Sequence, residues 1–180
     1  MATKVPIKFT YEDYLHLPPN GKRYELVEGE FWMAPAPDYE HQTVAANLFR
    51  ELDQYIRQSQ LGAVRFAPLD VVLSDENVVQ PDLLFVSHER SYIITRRNIS
   101  GPPDLVIEIL SEGTTQHDRQ TKRKLYAKSG VKEFWLVDPT EKTIEVLSLG
   151  KSGYKSLGVF RQTLRSALFK SLSLDLRKIF

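Results

Sequence analysis

Pro81-Asp82-Leu83-Leu84-Phe85-Val86 and Asp104-Leu105-Val106-Ile107-Glu108-Ile109-Leu110 are two short apolar runs, and each holds an acid among apolar neighbours. Runs this short and this apolar read as buried strands. A carboxylate flanked by apolar residues is costly to bury without a partner. Two of them, Asp82 and Glu108, on neighbouring strands point to a shared divalent cation with oxygen ligands. Glu25, in Tyr24-Glu25-Leu26-Val27, is a third acid of the same kind. For any one acid alone, the competing reading is an ordinary buried ion pair or a solvent-facing position. The trio, taken with a basic helix downstream, favours a functional cluster, because perturbed carboxylates gather at such sites.

The surrounding text supplies helices and further strands. Thr10-Tyr-Glu-Asp13 has the pattern of a capping box opening a short helix, stopped by Leu17-Pro18-Pro19-Asn20-Gly21. Arg23 to Val27 and Glu30 to Met33 read as strands around a Glu28-Gly29 turn. Asp38 is placed to cap a long helix with Val44, Ala45, Leu48, Phe49, Leu52 and Ile56 on one face, ended by Gly62. Ala63 to Phe66, Leu69 to Leu73 and part of Val78 to Val86 are strand candidates, with Asp104 to Leu110 after them. Ser87 to Pro103 reads as a polar loop with room for a helical turn. Thr114 to Ser129 is a charged helix closed by Gly130. Lys132 to Val137 and Lys142 to Leu149 are strands around an Asp138-Pro139-Thr140-Glu141 turn. Tyr154 to Phe160 and Leu172 to Phe180 complete the chain. Helices interspersed with strands argue for an α/β or α+β sheet protein.

Bulk properties narrow the function. At 180 residues and 42% hydrophobic, the sequence is expected to form one domain, residues 1–180, with a sizeable core. Charge is nearly balanced, 24 Lys and Arg against 23 Asp and Glu, which excludes a strongly basic nucleic-acid coat but leaves room for a local basic face. No cysteine is present, so thiolate zinc sites, cysteine nucleophiles and disulfides are excluded. No stretch is long and apolar enough to span a bilayer, and the first residues lack the apolar core of a signal peptide. A cytoplasmic location and no membrane partner are the expectations.

The charged helix holds Arg119, Lys122, Arg123 and Lys124. Residues three and four apart share a helix face. Lys122 shares its face with Leu125 and Tyr126, whereas Lys124 has Lys128 one turn on. Lys122 is therefore expected to point inward, toward the strand of Glu108, and Lys124 outward. The alternative for Lys122 is a surface ion pair with Asp118. Two acids and an inward lysine suit metal-assisted phosphodiester cleavage, in which the lysine orients water or offsets developing negative charge. His41, at the start of the long helix, is a candidate for phosphate contact or proton transfer, weighed against a satisfied helix-start histidine. Trp32 and Trp135 read as core residues in preference to base-stacking platforms. Arg96-Arg97 is a candidate backbone contact or a solvated charge run.

The ordered set of motifs resembles the Uma-type endonucleases within the restriction-endonuclease-like superfamily, whose signature is PD-(D/E)xK. It comprises Tyr24-Glu-Leu-Val-Glu-Gly-Glu30, Pro35-Ala-Pro37 with His41-Gln42, and Val79-Gln-Pro-Asp82. Pro103-Asp-Leu-Val-Ile-Glu-Ile-Leu-Ser111, Asp118-Arg-Gln-Thr-Lys122, Tyr126, Gly130-Val131 and Glu133-Phe-Trp-Leu-Val-Asp138 follow. The resemblance runs from Tyr11 to about Ile179. It implies an α/β fold with a restriction-endonuclease-like mixed central β-sheet flanked by helices. It also implies Asp82 and Glu108 as metal-binding acids, a backbone carbonyl from Ile109 as a further ligand, and Glu25 as an acid from the N-terminal part of the core. The signature expects lysine where Leu110 stands. The resemblance implies that Lys122 has taken over that role from the next helix.

The expected activity is thus a magnesium- or manganese-dependent nuclease acting on DNA as a homodimer, with Glu25, Asp82, Glu108 and Lys122 catalytic. The rival expectation is a non-catalytic domain that keeps the fold for nucleic-acid binding or protein association. Asp82 and Glu108 should lie on adjacent strands with carboxylates about 4–6 Å apart, given oxygen ligand distances near 2.3 Å. Replacing Lys122 with alanine is expected to spare folding.

Overall fold

Asp38 accepts the backbone N–H of His41 at 2.8 Å and so caps helix α2 (Tyr39–Gln58). Its three- and four-residue spacing buries Val44, Leu48, Leu52 and Ile56. The computed structural model describes residues 7–111 and 117–180. The helix ends at Ser59 rather than at Gly62. Gln60 takes the left-handed turn, at φ 50°. Gly62 instead opens strand β3 (Gly62–Phe66) at φ 155°, where an added Cβ would collide with the Val86 carbonyl. Glycine is needed there for close strand approach, not to stop a helix.

The N-terminal segment follows its local signals. Thr10 and Asp13 close a reciprocal capping box on α1 (Tyr11–Leu15). Strands β1 (Arg23–Val27) and β2 (Glu30–Ala34) form a hairpin. Glu28 and Gly29 turn it with φ of 53° and 80°, as a primed two-residue turn requires. Strands β4 (Val71–Ser74), β5 (Asn77–Val79), β6 (Leu83–Ser87), β7 (Ile99–Ser100) and β8 (Leu105–Ile109) follow. The polar stretch between β6 and β8 contains a tight helical turn over His88–Ile93 as well as β7.

After β8, wide π-type turns over His117–Lys122 lead into α3 (Arg123–Ser129), which closes on Gly130 at φ 89°. The expected helix start at Thr114 lies outside the described residues. Strands β9 (Glu133–Asp138), β10 (Thr143–Gly150) and β11 (Gly153–Phe160) form a meander, and β12 (Thr163–Leu164) pairs with β13 (Leu174–Asp175).

Two sheets stack. One has six strands in the order β11-β10-β9-β8-β6-β3, mixed because β8 and β9 run parallel. The other has five, in the order β2-β1-β5-β4-β7. Strand alternation divides the core between the two faces of the six-stranded sheet. Leu105, Ile107 and Ile109 pack with α2 and the C-terminal residues Phe169, Leu176 and Ile179. Val106 and Leu110 pack on the opposite side with Val27, Val71 and Val79 of the second sheet and with Leu125 and Tyr126 of α3. Alternation places Glu108 on this second side. The α/β architecture of a mixed sheet flanked by helices is as expected, with a second sheet added. No described helix is long and apolar enough to cross a membrane.

Candidate active site

The β6–β8 ladder runs antiparallel and reaches Leu83 opposite Ile107. One further step in that register sets Asp82 opposite Glu108. Pairing stops there, and the Asp82 side chain replaces it: its Oδ2 accepts the Ile109 N–H at 2.8 Å. In an extended strand the N–H and C=O of one residue point to the same side. The Ile109 carbonyl therefore faces the opening that β6 leaves beside Asp82. From the first turn of α2, His41 Nε2 reaches Asp82 Oδ2 at 3.2 Å.

Three acids converge on Lys122 Nζ. Glu25 Oε2 of β1 lies at 2.9 Å, Glu108 Oε1 of β8 at 3.1 Å and Asp118 Oδ1 at 3.4 Å. Exposure is 4% for Glu25, 3% for Glu108, 2% for Asp118 and 5% for Lys122. The wide turns around 117–122 bring Asp118 and Lys122 inward together; such turns are frequent at functional sites. Tyr126, on α3, donates its hydroxyl to Glu108 Oε1 at 2.6 Å. The Gln80 N–H holds Glu25 Oε1 at 2.8 Å. Every carboxylate is thus positioned by backbone or by a packed side chain.

Burial and charge act against each other here. Burial raises the Glu108 pKa well above the carboxylate range, and Lys122 offsets this only partly because Asp118, Asp82 and Glu25 add negative charge. Burial works against the Lys122 ammonium, yet Glu108, Glu25 and Asp118 overcome it and hold the lysine charged. Burial also disfavours a charged His41, but the hydrogen bond and charge of Asp82 raise its pKa. Around its ammonium, Lys122 faces three acids, while Arg23 and His41 stand at the Asp82 side of the same cleft.

Glu25, Asp82, Glu108, Ile109 and Lys122 all line one cleft of about 100 Å³. Asp82, one residue before β6 rather than within it, and Glu108, within the neighbouring β8, thus face a common space. Among the described residues, no group of three or more His, Asp or Glu side chains is arranged as a ready-made metal cage. The donors nevertheless suit magnesium, which takes one or two carboxylates and keeps several waters. Asp82, Glu108 and the Ile109 carbonyl are hard oxygen donors at one opening.

Other placements depart from sequence expectation. Trp32 is 42% exposed and lines the cleft, so it is not a core residue; cross-strand pairing with Glu25 puts both side chains on the cleft face of the hairpin. Trp135 is fully buried, as expected. Asp118 and Lys122 pair as the surface reading supposed, but in the interior. Lys124 is exposed. Arg96 and Arg97 are exposed and do not line the cleft. Arg23, read only as the first residue of a strand, lines the cleft beside Asp82 and His41. A cation two residues before Glu25 on an alternating strand was the available signal. The polar role of Tyr126 had none, because its spacing marks only a buried face.

The family model "Uma2: Putative restriction endonuclease" matches residues 11–177. Among curated proteins, none matches. A solved structure of a "putative nuclease belonging to DUF820" from Anabaena variabilis aligns with a TM-score of 0.79 at 22% identity, over 97% of this chain and 98% of that one. At this identity the likeness shows a common fold.

Proposed function

We propose, given that this chain belongs to the Uma2 family, that it is a metal-dependent nuclease hydrolysing DNA phosphodiester bonds. The observation that carries the reading is the cleft itself. Asp82 and Glu108 open onto it together, and within it three acids, Glu25, Glu108 and Asp118, gather on the single ammonium of Lys122. A divalent cation bound at Asp82 and Glu108 would add positive charge there, and Glu108, whose pKa burial raises, would exchange its proton for it.

Asp82, Glu108 and the Ile109 carbonyl would hold magnesium or manganese, which polarises a phosphoryl oxygen and lowers the pKa of bound water. Lys122 stabilises the negative charge that grows on the phosphate. Glu25 and Asp118 keep the ammonium in place, and Tyr126 fixes the rotamer of Glu108. His41 braces Asp82 from the α2 side. Arg23, at the cleft edge, makes a phosphate-backbone contact. A space of about 100 Å³ is small beside the roughly 300–1,000 Å³ of small-molecule pockets. It suits a phosphate presented by a polymer at the rim more than an engulfed metabolite.

Plasmid and linear DNA incubated with purified protein test this. Cleavage is expected with magnesium or manganese and should vanish in chelator. Calcium should bind but support little turnover, because its looser coordination positions water less well. Undiminished cleavage in chelator excludes the metal role. DNA binding without hydrolysis under any divalent ion supports the rival reading, a non-catalytic nucleic-acid-binding domain.

A further inference from the structure

Next to the acidic cleft is a second one, of about 300 Å³, between α2 and the end of β3. The two share Arg23, Pro37, His41 and Asp82 as a common wall. The second is different in character. Ala45, Ala46 and Phe49 of α2 form one side, and Phe66 and Ala67 form the other. Phe66 is 54% exposed although it ends a strand of the central sheet. Phe49 meets its ring edge-on, with centroids 4.8 Å apart and planes at 78°. That contact steadies the Phe66 ring while leaving apolar surface open to the cleft. Alanines at 45 and 46 keep the opposite side clear. Gln42, one turn before Ala46, lines the same cleft with an amide that can donate and accept.

An apolar slot with one fixed aromatic ring, a polar amide and a guanidinium on the rim matches a nucleobase attached to its phosphate. Stacking uses the ring, hydrogen bonding uses the amide, and the backbone uses Arg23. A base inside a paired duplex does not present its face, so the occupant must be unpaired. We infer that the cleft between α2 and β3 is a nucleobase subsite, in which an unpaired base stacks on Phe66 beside a phosphate held by Arg23. The inference rests on the nuclease reading and deepens it to a substrate class, single-stranded or locally unpaired nucleic acid.

Binding in chelator separates this from hydrolysis. The probes are a short single-stranded oligodeoxynucleotide with a central 2-aminopurine, the same strand with one abasic position there, and a fully paired duplex. The wild-type chain should bind the 2-aminopurine strand about tenfold more tightly than the abasic one and quench its fluorescence. Phe66→Ala and Phe66→Leu should erase that difference and the quenching, and Phe66→Tyr should keep both. A mismatched duplex that quenches as the single strand does assigns the subsite to extruded bases, and one that does not assigns it to single strands. Equal binding of base-bearing and abasic strands by the wild type overturns the inference, as does unchanged discrimination in Phe66→Leu. Base-dependent binding with no cleavage under magnesium or manganese keeps the subsite and removes the nuclease reading. Cleavage with no base dependence does the opposite.

Discussion

Removing the Lys122 ammonium would leave Glu25, Glu108 and Asp118 facing one another with almost no water to separate them. Leaving buried charge unpaired costs about 3–5 kcal/mol. Lys122→Ala is therefore expected to lower stability markedly, and the expectation that it spares folding does not survive the observed burial. It should also lower cleavage by about two orders of magnitude, the loss of one charge-stabilising donor. Lys124→Ala should change neither. Thermal melts and cleavage rates at matched folded fraction check both, and equal effects would reduce the helix to a diffuse basic field. Glu108 behaves in the opposite way. Burial penalises its carboxylate, and in metal-free buffer near neutral pH a neutral replacement relieves that penalty. Glu108→Gln should raise the melting temperature in chelator while abolishing cleavage. A lowered melting temperature would show that the Lys122 and Tyr126 contacts outweigh desolvation.

Strand β8 carries acids at both ends, and they do different jobs. Asp104, just before it, is fully buried, with Lys132 Nζ at 2.7 Å, Arg90 at 3.3 Å and the Ser87 N–H at 2.8 Å. Burial alone would raise its pKa, but the Lys132 and Ser87 donors more than offset that and hold it below the usual aspartate range. A folded-state pKa below the unfolded one contributes stability above the usual aspartate range and loses it as pH falls from that range down through the lowered folded-state pKa. Asp104→Asn should lower stability near pH 7, by about 1–2 kcal/mol because the freed Lys132 can reach water, and by less once the pH falls below the usual aspartate range. Urea midpoints above and below that range measure this; a cost independent of pH would mean that packing, not charge, is lost. Glu133, which begins β9, is also buried, but the Trp135 and Ser166 donors and two backbone N–H groups satisfy it. A saturated carboxylate of this kind anchors the C-terminal segment. The acids at the other end of β8 are the ones proposed to take a cation.

The cleft lies where the two sheets and two helices meet, so no single layer owns it. Glu25 comes from the five-stranded sheet, Asp82 and Glu108 from the six-stranded one, His41 from α2 and Lys122 from the turns before α3. Such a site forms only when the layers are docked, and loosening the docking should disturb its chemistry before the strands melt. Cutting both strands of a duplex calls for two such sites, and two-fold dimers are the commonest oligomers. A homodimer is the expected assembly for duplex cleavage. Light scattering checks it; a monomer at working concentration would confine the chain to one strand per encounter, in keeping with an unpaired-base subsite.

Local signals carried most of the elements. The capping residues Thr10 and Asp38, the Glu28-Gly29 turn, the face of α2 and the apolar runs around Asp82 and Glu108 act over a few residues, so they were legible without coordinates. Helical spacing likewise assigned Lys122 to the inner face, because a neighbouring turn sets that geometry. Gly62 was misread because strand approach and helix termination both call for glycine, and which one applies depends on Val86, a residue distant in the chain. Trp32 departs from the core expectation because alternation names a face without saying whether it meets core or cleft. That Asp118 joins the buried cluster, that Tyr126 holds Glu108 and that Arg23 borders the cleft all depend on which layers dock against which. Docking is a sum of many long-range contacts, and no short window of sequence records it.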